Sequence, residues 1–330
     1  MKLGRYDFKY GLSLAPMAGY TDSAMRTLAF RYGAEYSTSE MVSAKAVTFG
    51  DLKTFSLSRI KDSEGPVVLQ IFGSEPEVMA RAVEILMSHT PESGYTLPFA
   101  IDINMGCPVN KIFRNGEGSA LMKDPERIRS IVMAVKGATD LPVTVKIRAG
   151  IDKHTRNAVE CAEAAEAGGA SLITVHGRTR EEFYSGRADR GIIRDVKNSV
   201  HIPVVANGDI VTGDDALEML RDTGADGIAI GRGSVGNPFL FSEIIAKLNG
   251  EKYHAPSFAE RIETAKEQLC LAVADKGERS AVMEARKQIA AYFTDFRGAA
   301  MLRAMINRAE SERSVIDILD RFKEKFEDNS

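Results

Sequence analysis

Eight short β-rich runs alternate with stretches of helical spacing from the start of the chain to about residue 250. The runs fall at 12–16, 35–40, 66–71, 99–104, 142–147, 171–176, 202–206 and 226–230. VTVKI, SLITV, PVVAN and DGIAI are almost continuously apolar, as parallel strands covered on both faces must be. Helical spacing lies between most of them, at 76–88, 125–136, 158–167 and 214–222, and several of these stretches run out at Gly33, Gly137, Gly168-Gly169 or Gly224. Eight strand–helix units in about 250 residues match a closed (β/α)8 TIM barrel. A doubly wound open sheet is the competing arrangement.

The pattern changes past Lys252. Glycine almost vanishes and apolar residues recur at three and four, as at Ile262, Ala265, Leu269 and Val273, then Ile289, Tyr292 and Phe293. The expected organisation is an α/β barrel over 1–250, a linker at 250–257, and a small C-terminal all-helical bundle of three or four helices within 251–330. The start of the chain is polar and no apolar run reaches the ~18–20 residues that span a bilayer, which points to a cytoplasmic protein. The 3 cysteines cannot build a disulfide framework and are not spaced as metal ligands. With 43 basic and 46 acidic residues, bulk attraction to nucleic acid is excluded, though a local basic face is not.

In a barrel the chemistry gathers at the carboxyl ends of the strands. Those ends carry Met17, Glu40, Gln70, Asn104, Lys146, His176, Asn207 and Gly231. So many donors and acceptors aimed at one mouth favour an active site over a structural role. The last two strands run into Asn207-Gly208-Asp209 and Gly231-Arg232-Gly233, the usual phosphate position in barrels, where glycine lets backbone approach and a guanidinium can clamp oxygens. Residues 231–236 also fit G-x-G-x-x-G. A dinucleotide fingerprint requires a βαβ unit, however, and no strand follows this helix, so a phosphate loop is the better reading.

Cys107 follows the fourth strand, fixed by Gly106 and Pro108. An unperturbed thiol of pKa ~8.5 is mostly protonated at pH 7, so Cys107 suits a proton donor, or a nucleophile if its pKa is lowered. Cys161 and Cys270 read as core residues. Lys146, inside an apolar run, suits either a Schiff base or a positive charge near a developing anion. His176 is placed to donate to a cofactor or a carbonyl. No arrangement points to a metal. Residues 286–308 carry five basic residues and one acid, with Tyr292, Phe293 and Phe296 interleaved. This is either a nucleic-acid face built around Arg286, Lys287, Arg297 and Arg303, or a solvated helix face with core aromatics.

The chain resembles the tRNA-dihydrouridine synthases of bacterial type, flavoproteins that reduce selected uridines in tRNA. The matching blocks are APMAGYTD at 15–22, LQIFGSEP at 69–76, IDINMGCPVNKI at 101–112, GSALM at 118–122 and VTVKIRAG at 143–150, followed by VHGRTREEFYSGRAD at 175–189, IPVVANGDI at 202–210 and IGRGSVGNPFLF at 230–241. The resemblance implies FMN contacts at Pro16, Met17, Ala18, Gln70, Lys146, His176, Asn207, Gly208, Asp209, Gly231 and Arg232. It makes Cys107 the proton donor and puts Asn104, Arg178 and the loop after Cys107 against the RNA. No side chain supplies a hydride, so saturating a uracil 5,6 bond requires a redox cofactor. The implied reaction moves hydride from reduced flavin N5 to C6 of the base and a proton from Cys107 to C5. Lys146 steadies negative charge at the flavin N1–C2 edge. NADPH or NADH is the electron source, tRNA the partner, and the target base is turned out of its stack. No metal, membrane or obligatory protein partner is implied.

Two departures stand out. The family's ADW reads Ala188-Asp189-Arg190, and its RKH…WY reads Arg286-Lys287-Gln288 and Ala291-Tyr292. Both bear on RNA grip rather than on the chemistry. The nearest alternative is a small-molecule flavin reductase of the dihydropyrimidine or dihydroorotate type, for which a basic second domain has no purpose.

Overall fold

The computed structural model describes residues 1–92, 94–294, 296 and 298–327. Eight strands close into a barrel: β1 (Leu12–Leu14), β2 (Tyr36–Thr38), β3 (Val67–Phe72), β4 (Ala100–Asn104), β5 (Val143–Arg148), β6 (Leu172–His176), β7 (Val204–Asn207) and β8 (Gly227–Ile230). All neighbours are parallel; β8 pairs with β1, and β2 pairs with both β1 and β3, which completes the ring. A closed parallel ring, rather than an open sheet, is therefore the architecture. Val42–Ser43 adds a second short pairing to β3 beyond β2, so Glu40 sits in a break between two extended pieces.

The helices that cover the ring follow in order: α1 (Ser23–Arg31), α2 (Ala44–Thr48), α3 (Leu52–Leu57), α4 (Pro76–Glu92), α5 (Asn110–Arg114), α6 (Pro125–Gly137), α7 (Ala158–Ala167), α8 (Arg190–Ser199), α9 (Gly213–Thr223) and α10 (Leu240–Asn249). Their starts are chemically marked. The Asp22 carboxylate accepts Met25 N–H at 2.9 Å at α1, and Thr212 and Asp215 form a reciprocal capping box at α9. Gly224 and Gly250 end α9 and α10 in the left-handed conformation.

Side chains alternate across each strand, and this alternation separates two cores. Leu12, Leu14, Ile101, Ile103, Val143, Val145 and Ile147 pack against the helices. Ala15, Tyr36, Val68, Leu172, Val205 and Ala229 fill the interior instead. An antiparallel hairpin, Lys2–Leu3 with Tyr6–Asp7, joins this interior cluster, and the Phe8 ring lies tilted 4.9 Å from Tyr36 and edge-on 5.8 Å from Phe99. The amino-acid pattern did not point to this hairpin, because two-residue strands carry no readable period.

Among the described residues, four helices follow the linker: α11 (Phe258–Lys276), α12 (Glu278–Ala291), α13 (Ala299–Arg308) and α14 (Glu312–Glu327). Ile262, Leu269, Ile289, Tyr292, Phe293, Leu302, Ile306, Val315 and Leu319 form their common core. The aromatics Tyr292 and Phe293, interleaved with the basic residues, are thus packing residues. Cys161 is buried as expected, whereas Cys270 is exposed, since it lies off the Ile262–Leu269–Val273 stripe. The bundle leans on α1 through α11: Tyr32 Oη and Thr264 Oγ1 lie 2.9 Å apart, and Lys276 Nζ is 2.5 Å from Asp22. Among the described residues no helix is long and apolar enough to cross a membrane.

Candidate active site

The alternation that fills the barrel floor with apolar groups places polar ones above it. In β4 the inward residues are Asp102 and Asn104; in β5 they are Thr144, Lys146 and Arg148. Gln70 and Lys146 were expected at the ends of their strands. Each lies two residues short, because β3 continues to Phe72 and β5 to Arg148.

A hydrogen-bonded chain runs across three strands. Thr144 Oγ1 donates to Asp102 Oδ1 at 2.6 Å, and Gln70 Nε2 donates to Asp102 Oδ2 at 2.7 Å. Asn104 Nδ2 donates to Gln70 Oε1 at 2.8 Å, and Asn104 Oδ1 accepts Cys107 N–H at 2.9 Å and Gly106 N–H at 3.2 Å. The loop beyond is closed by Ser119, whose hydroxyl donates to Cys107 O at 2.8 Å. Burial pushes the Cys107 thiol up from its ordinary value, against the pull of Arg148 and Lys146, so it stays protonated at neutral pH.

Lys146 donates to Asn207 Oδ1 at 3.1 Å, and Asn207 Nδ2 donates to Ala229 O at 2.7 Å. Burial, then the neighbouring Arg148, lowers Lys146 to about 8, while Asp102 opposes the shift. Burial raises Asp102 to about 6, against its bonds from Thr144 and Gln70. Lys146 is still largely cationic at pH 7, and Asp102 largely ionised.

On the other side of the mouth stand His176, Arg178, Asp209 and Arg232. Burial and then Lys146, Arg148, Arg178 and Arg232 hold His176 well below the usual imidazole value, so it is neutral. Its Nδ1 is buried with no hydrogen-bond partner. Arg178, fully buried, donates to Asp209 Oδ1 at 2.7 Å, Gly186 O at 2.6 Å and Ser185 O at 2.8 Å. Burial alone would raise Asp209, but the bond from Arg178 and the charge of Arg232 hold its carboxyl below the usual range. Asp209 follows Gly208 at a left-handed φ of 51°. Gly208 itself has φ 133°, and a Cβ there would lie 2.6 Å from the Ala188 Cβ, so glycine is required. At Gly231 a Cβ would meet only Met17 Sδ at 3.7 Å and Asn207 Nδ2 at 4.0 Å, which leaves the backbone facing open space.

Pro16, Met17 and Ala18 lie in the turn after β1, with Ala18 exposed and Met17 beside Gly231. The barrel mouth thus gathers every expected barrel position. The basic residues of the helical region lie elsewhere, on the bundle. Arg286 is half-buried and donates to Ala309 O at 3.0 Å, Lys287 is exposed, and Arg303 is half-exposed. Arg297 lies outside the described residues. Three residues with no assigned part stand in the mouth: Asp102, Arg148 and Tyr184. Arg148 donates to Gly106 O at 2.8 Å and to Thr179 O at 2.9 Å, and the Tyr184 ring lies 4.4 Å from the Arg232 guanidinium. The signal for Asp102 and Arg148 was present, as polar residues two positions from Asn104 and Lys146 on the same face.

The ring, its polar mouth with a protonated thiol beside buried cationic side chains, and the appended bundle define a (β/α)8 barrel carrying a C-terminal helical bundle. The family model described as Dihydrouridine synthase (Dus) matches residues 13–329. A "Probable tRNA-dihydrouridine synthase" of Rickettsia conorii is 41% identical over 309 residues, 93% of this chain and 91% of that one. A "tRNA-dihydrouridine synthase B" of Shewanella oneidensis is 39% identical over 312 residues, covering 94% of each. Among solved structures, the histamine dehydrogenase from Rhizobium sp. 4-9 superposes with a TM-score of 0.54 at 14% identity, over 82% of this chain and 50% of that one, a likeness of fold alone. The chain belongs to the dihydrouridine synthase family and is an oxidoreductase.

Proposed function

We propose that this protein is a tRNA-dihydrouridine synthase that uses FMN and NADPH, or NADH, to reduce the 5,6 double bond of particular uridines in tRNA. The observation that carries the reading is Cys107: a protonated thiol, tethered through its N–H to Asn104, at a mouth lined by Lys146, His176 and Arg232. The residues present fit a flavin phosphate ester. The unpartnered Nδ1 of neutral His176 needs a polar group, and the open backbone at Gly231 beside Arg232 admits one. When bound, the flavin supplies the hydride, from N5 to C6 of the base.

The protein's own groups do the rest. Cys107 delivers a proton to C5, and Lys146 holds positive charge near the flavin N1–C2 edge. Gln70, Asn207, Gly208, Asp209, Gly231 and Arg232, with Pro16, Met17 and Ala18, hold the cofactor. Asn104 and the loop after Cys107 face the base, whereas Arg178, expected against the RNA, is buried and committed to Asp209, Gly186 and Ser185, and so braces the neighbouring loop instead. Arg286, Lys287, Arg297 and Arg303 belong to the RNA side, on a helical domain from residue 251 that serves tRNA recognition beside the catalytic barrel of residues 1–250.

The test is an absorbance spectrum of the purified protein, then bleaching with NADPH and re-oxidation with undermodified tRNA. The reading expects flavin bands near ~450 nm that bleach and recover with tRNA, leaving dihydrouridine in the product. Recovery with a free pyrimidine and not with tRNA would replace it by a small-molecule reductase. A protein that takes up no FMN would end it.

A further inference from the structure

The helical domain reaches into the barrel mouth through one buried polar chain. Tyr292 Oη donates to Gln268 Oε1 at 2.7 Å, Gln268 Nε2 donates to Gln288 Oε1 at 2.5 Å, and Gln288 Nε2 donates to Gly19 O at 3.2 Å. The three side chains are almost completely buried, with Tyr292, Gln268 and Gln288 1, 2 and 4% exposed, so Gln288 and Tyr292, expected to bear on RNA grip, are packed inside and face the barrel instead. The polarity of the chain is determined from its end. A backbone carbonyl only accepts, so Gln288 must turn its NH2 toward Gly19; its oxygen then faces Gln268, which must do the same in turn, and Tyr292 becomes the donor.

Gly19 is the middle of the turn that carries Met17 and Ala18. Inside the turn, Tyr20 N–H and Thr21 N–H both donate to Met17 O at 3.0 Å, and Met17 N–H donates to Thr21 Oγ1 at 3.1 Å. From outside, the turn is held on both sides of one residue: Gly19 N–H donates to Glu40, from the barrel, and Gly19 O accepts from Gln288, from the bundle. Lys276 of α11 fixes the adjoining Asp22 at 2.5 Å. A half-satisfied buried amide is costly, so a well-satisfied relay of this kind restricts the turn to one conformation.

We infer that Gln288 is a positioning residue: through Gly19 it makes the helical domain part of the support for the cofactor-side turn at Met17–Ala18. The link to a cofactor rests on the function proposed above; the hold on the turn does not. The test compares Gln288→Met, which keeps volume and removes both hydrogen bonds, with Gln288→His, which restores one donor and one acceptor. Two readouts are taken: hydrogen exchange of the Tyr20 and Thr21 amides without added cofactor, and FMN titration by fluorescence quenching.

The expected result is about fivefold faster exchange at those two amides and about fivefold weaker FMN binding in Gln288→Met, the weight of one hydrogen bond, with both restored within about twofold in Gln288→His. A Met variant that melts earlier but keeps wild-type exchange at Tyr20 and Thr21 would overturn the inference. So would a histidine variant as impaired as the methionine one. If the unaltered protein takes up no FMN, the functional reading falls while the exchange comparison still decides the strut. Should Gln288→Met fail to fold, Tyr292→Phe removes only the terminal donor, and the same comparison of the two amides decides the question.

Discussion

Asp102 holds the side-chain amide of Gln70 in a single orientation. Its Oδ2 accepts Gln70 Nε2–H at 2.7 Å, which leaves Gln70 Oε1 to take Asn104 Nδ2–H at 2.8 Å. A carboxylate only accepts, so the amide cannot turn over without setting acceptor against acceptor. The consequence travels to Cys107, because the Asn104 oxygen freed by this arrangement is the one that receives the Cys107 N–H. Gln70→Met preserves volume but strands Asp102 Oδ2 in a buried setting and leaves Asn104 Nδ2 only its weak contact with Met41 Sδ at 3.7 Å. The expected loss is ~1–3 kcal/mol of folding stability, read from the urea midpoint at unchanged slope. A variant as stable as the parent would show that this chain is not under load.

Cys107→Ala is expected to retain FMN and tRNA binding and to lose about 10²–10⁴ in the rate of uridine reduction, the usual share of a positioned acid. The backbone of Cys107 is held by Asn104 and Ser119, so the loop keeps these anchors when the thiol and its bond from Val109 N–H are removed. Single-turnover reaction of the prereduced enzyme with undermodified tRNA isolates the step. An unchanged rate there would remove Cys107 from the chemistry.

The alkaline limb of activity is expected to follow Lys146. Burial lowers it to about 8, so its positive charge is present below that pH and is lost as pH rises through it. Burial moves Cys107 the opposite way, above its ordinary thiol value, so its proton outlasts the charge on the lysine. The single-turnover rate is expected to fall above about pH 8. Asp102 favours the charged form of Lys146. Asp102→Asn, nearly the same shape, is therefore expected to move the limb to lower pH, whereas Cys107→Ser lowers the rate and moves the limb less, since Cys107 supports the lysine's charge less than Asp102 does. A limb that shifts in Cys107→Ser and stays put in Asp102→Asn would assign it to the thiol.

The barrel was legible because its signal is repeated: several buried parallel strands, VTVKI, SLITV, PVVAN and DGIAI among them, write almost continuous apolar runs, and the helices between them are punctuated by glycine or cap residues. The 158–167 helix and the break at Gly250 were visible on those grounds. The site was legible in part for the same reason, since Lys146, His176 and Asn207 interrupt apolar runs. Asp102 and Arg148 were passed over because attention to strand ends ignores inward residues one pleat away. The N-terminal hairpin and the exposure of Cys270 were hidden for a different reason. Both depend on what a short segment docks against, which no local period records. The Gln268–Gln288–Tyr292 chain is of that kind too, joining residues far apart in sequence to Gly19.

The basic segment of the bundle separates into residues in different structural settings, and this changes how its proposed RNA role is best tested. Arg286 is the obvious target from its charge, but it is half-buried and donates to Ala309 O at 3.0 Å, tying α12 to the end of α13. A charge reversal there removes a structural bond as well as a cation, so weakened binding would have two explanations. Lys287 is exposed and Arg303 is half-exposed. Lys287→Glu combined with Arg303→Glu is expected to weaken tRNA binding and to reduce the slope of log affinity against log salt by about 1 for each phosphate no longer neutralised. NADPH oxidation without RNA and the melting temperature should stay at the parent values, because neither residue lies at the barrel mouth. Unchanged affinity and slope would make this stretch a solvated helix face and move the search for the RNA surface to the exposed side of the Cys107 loop.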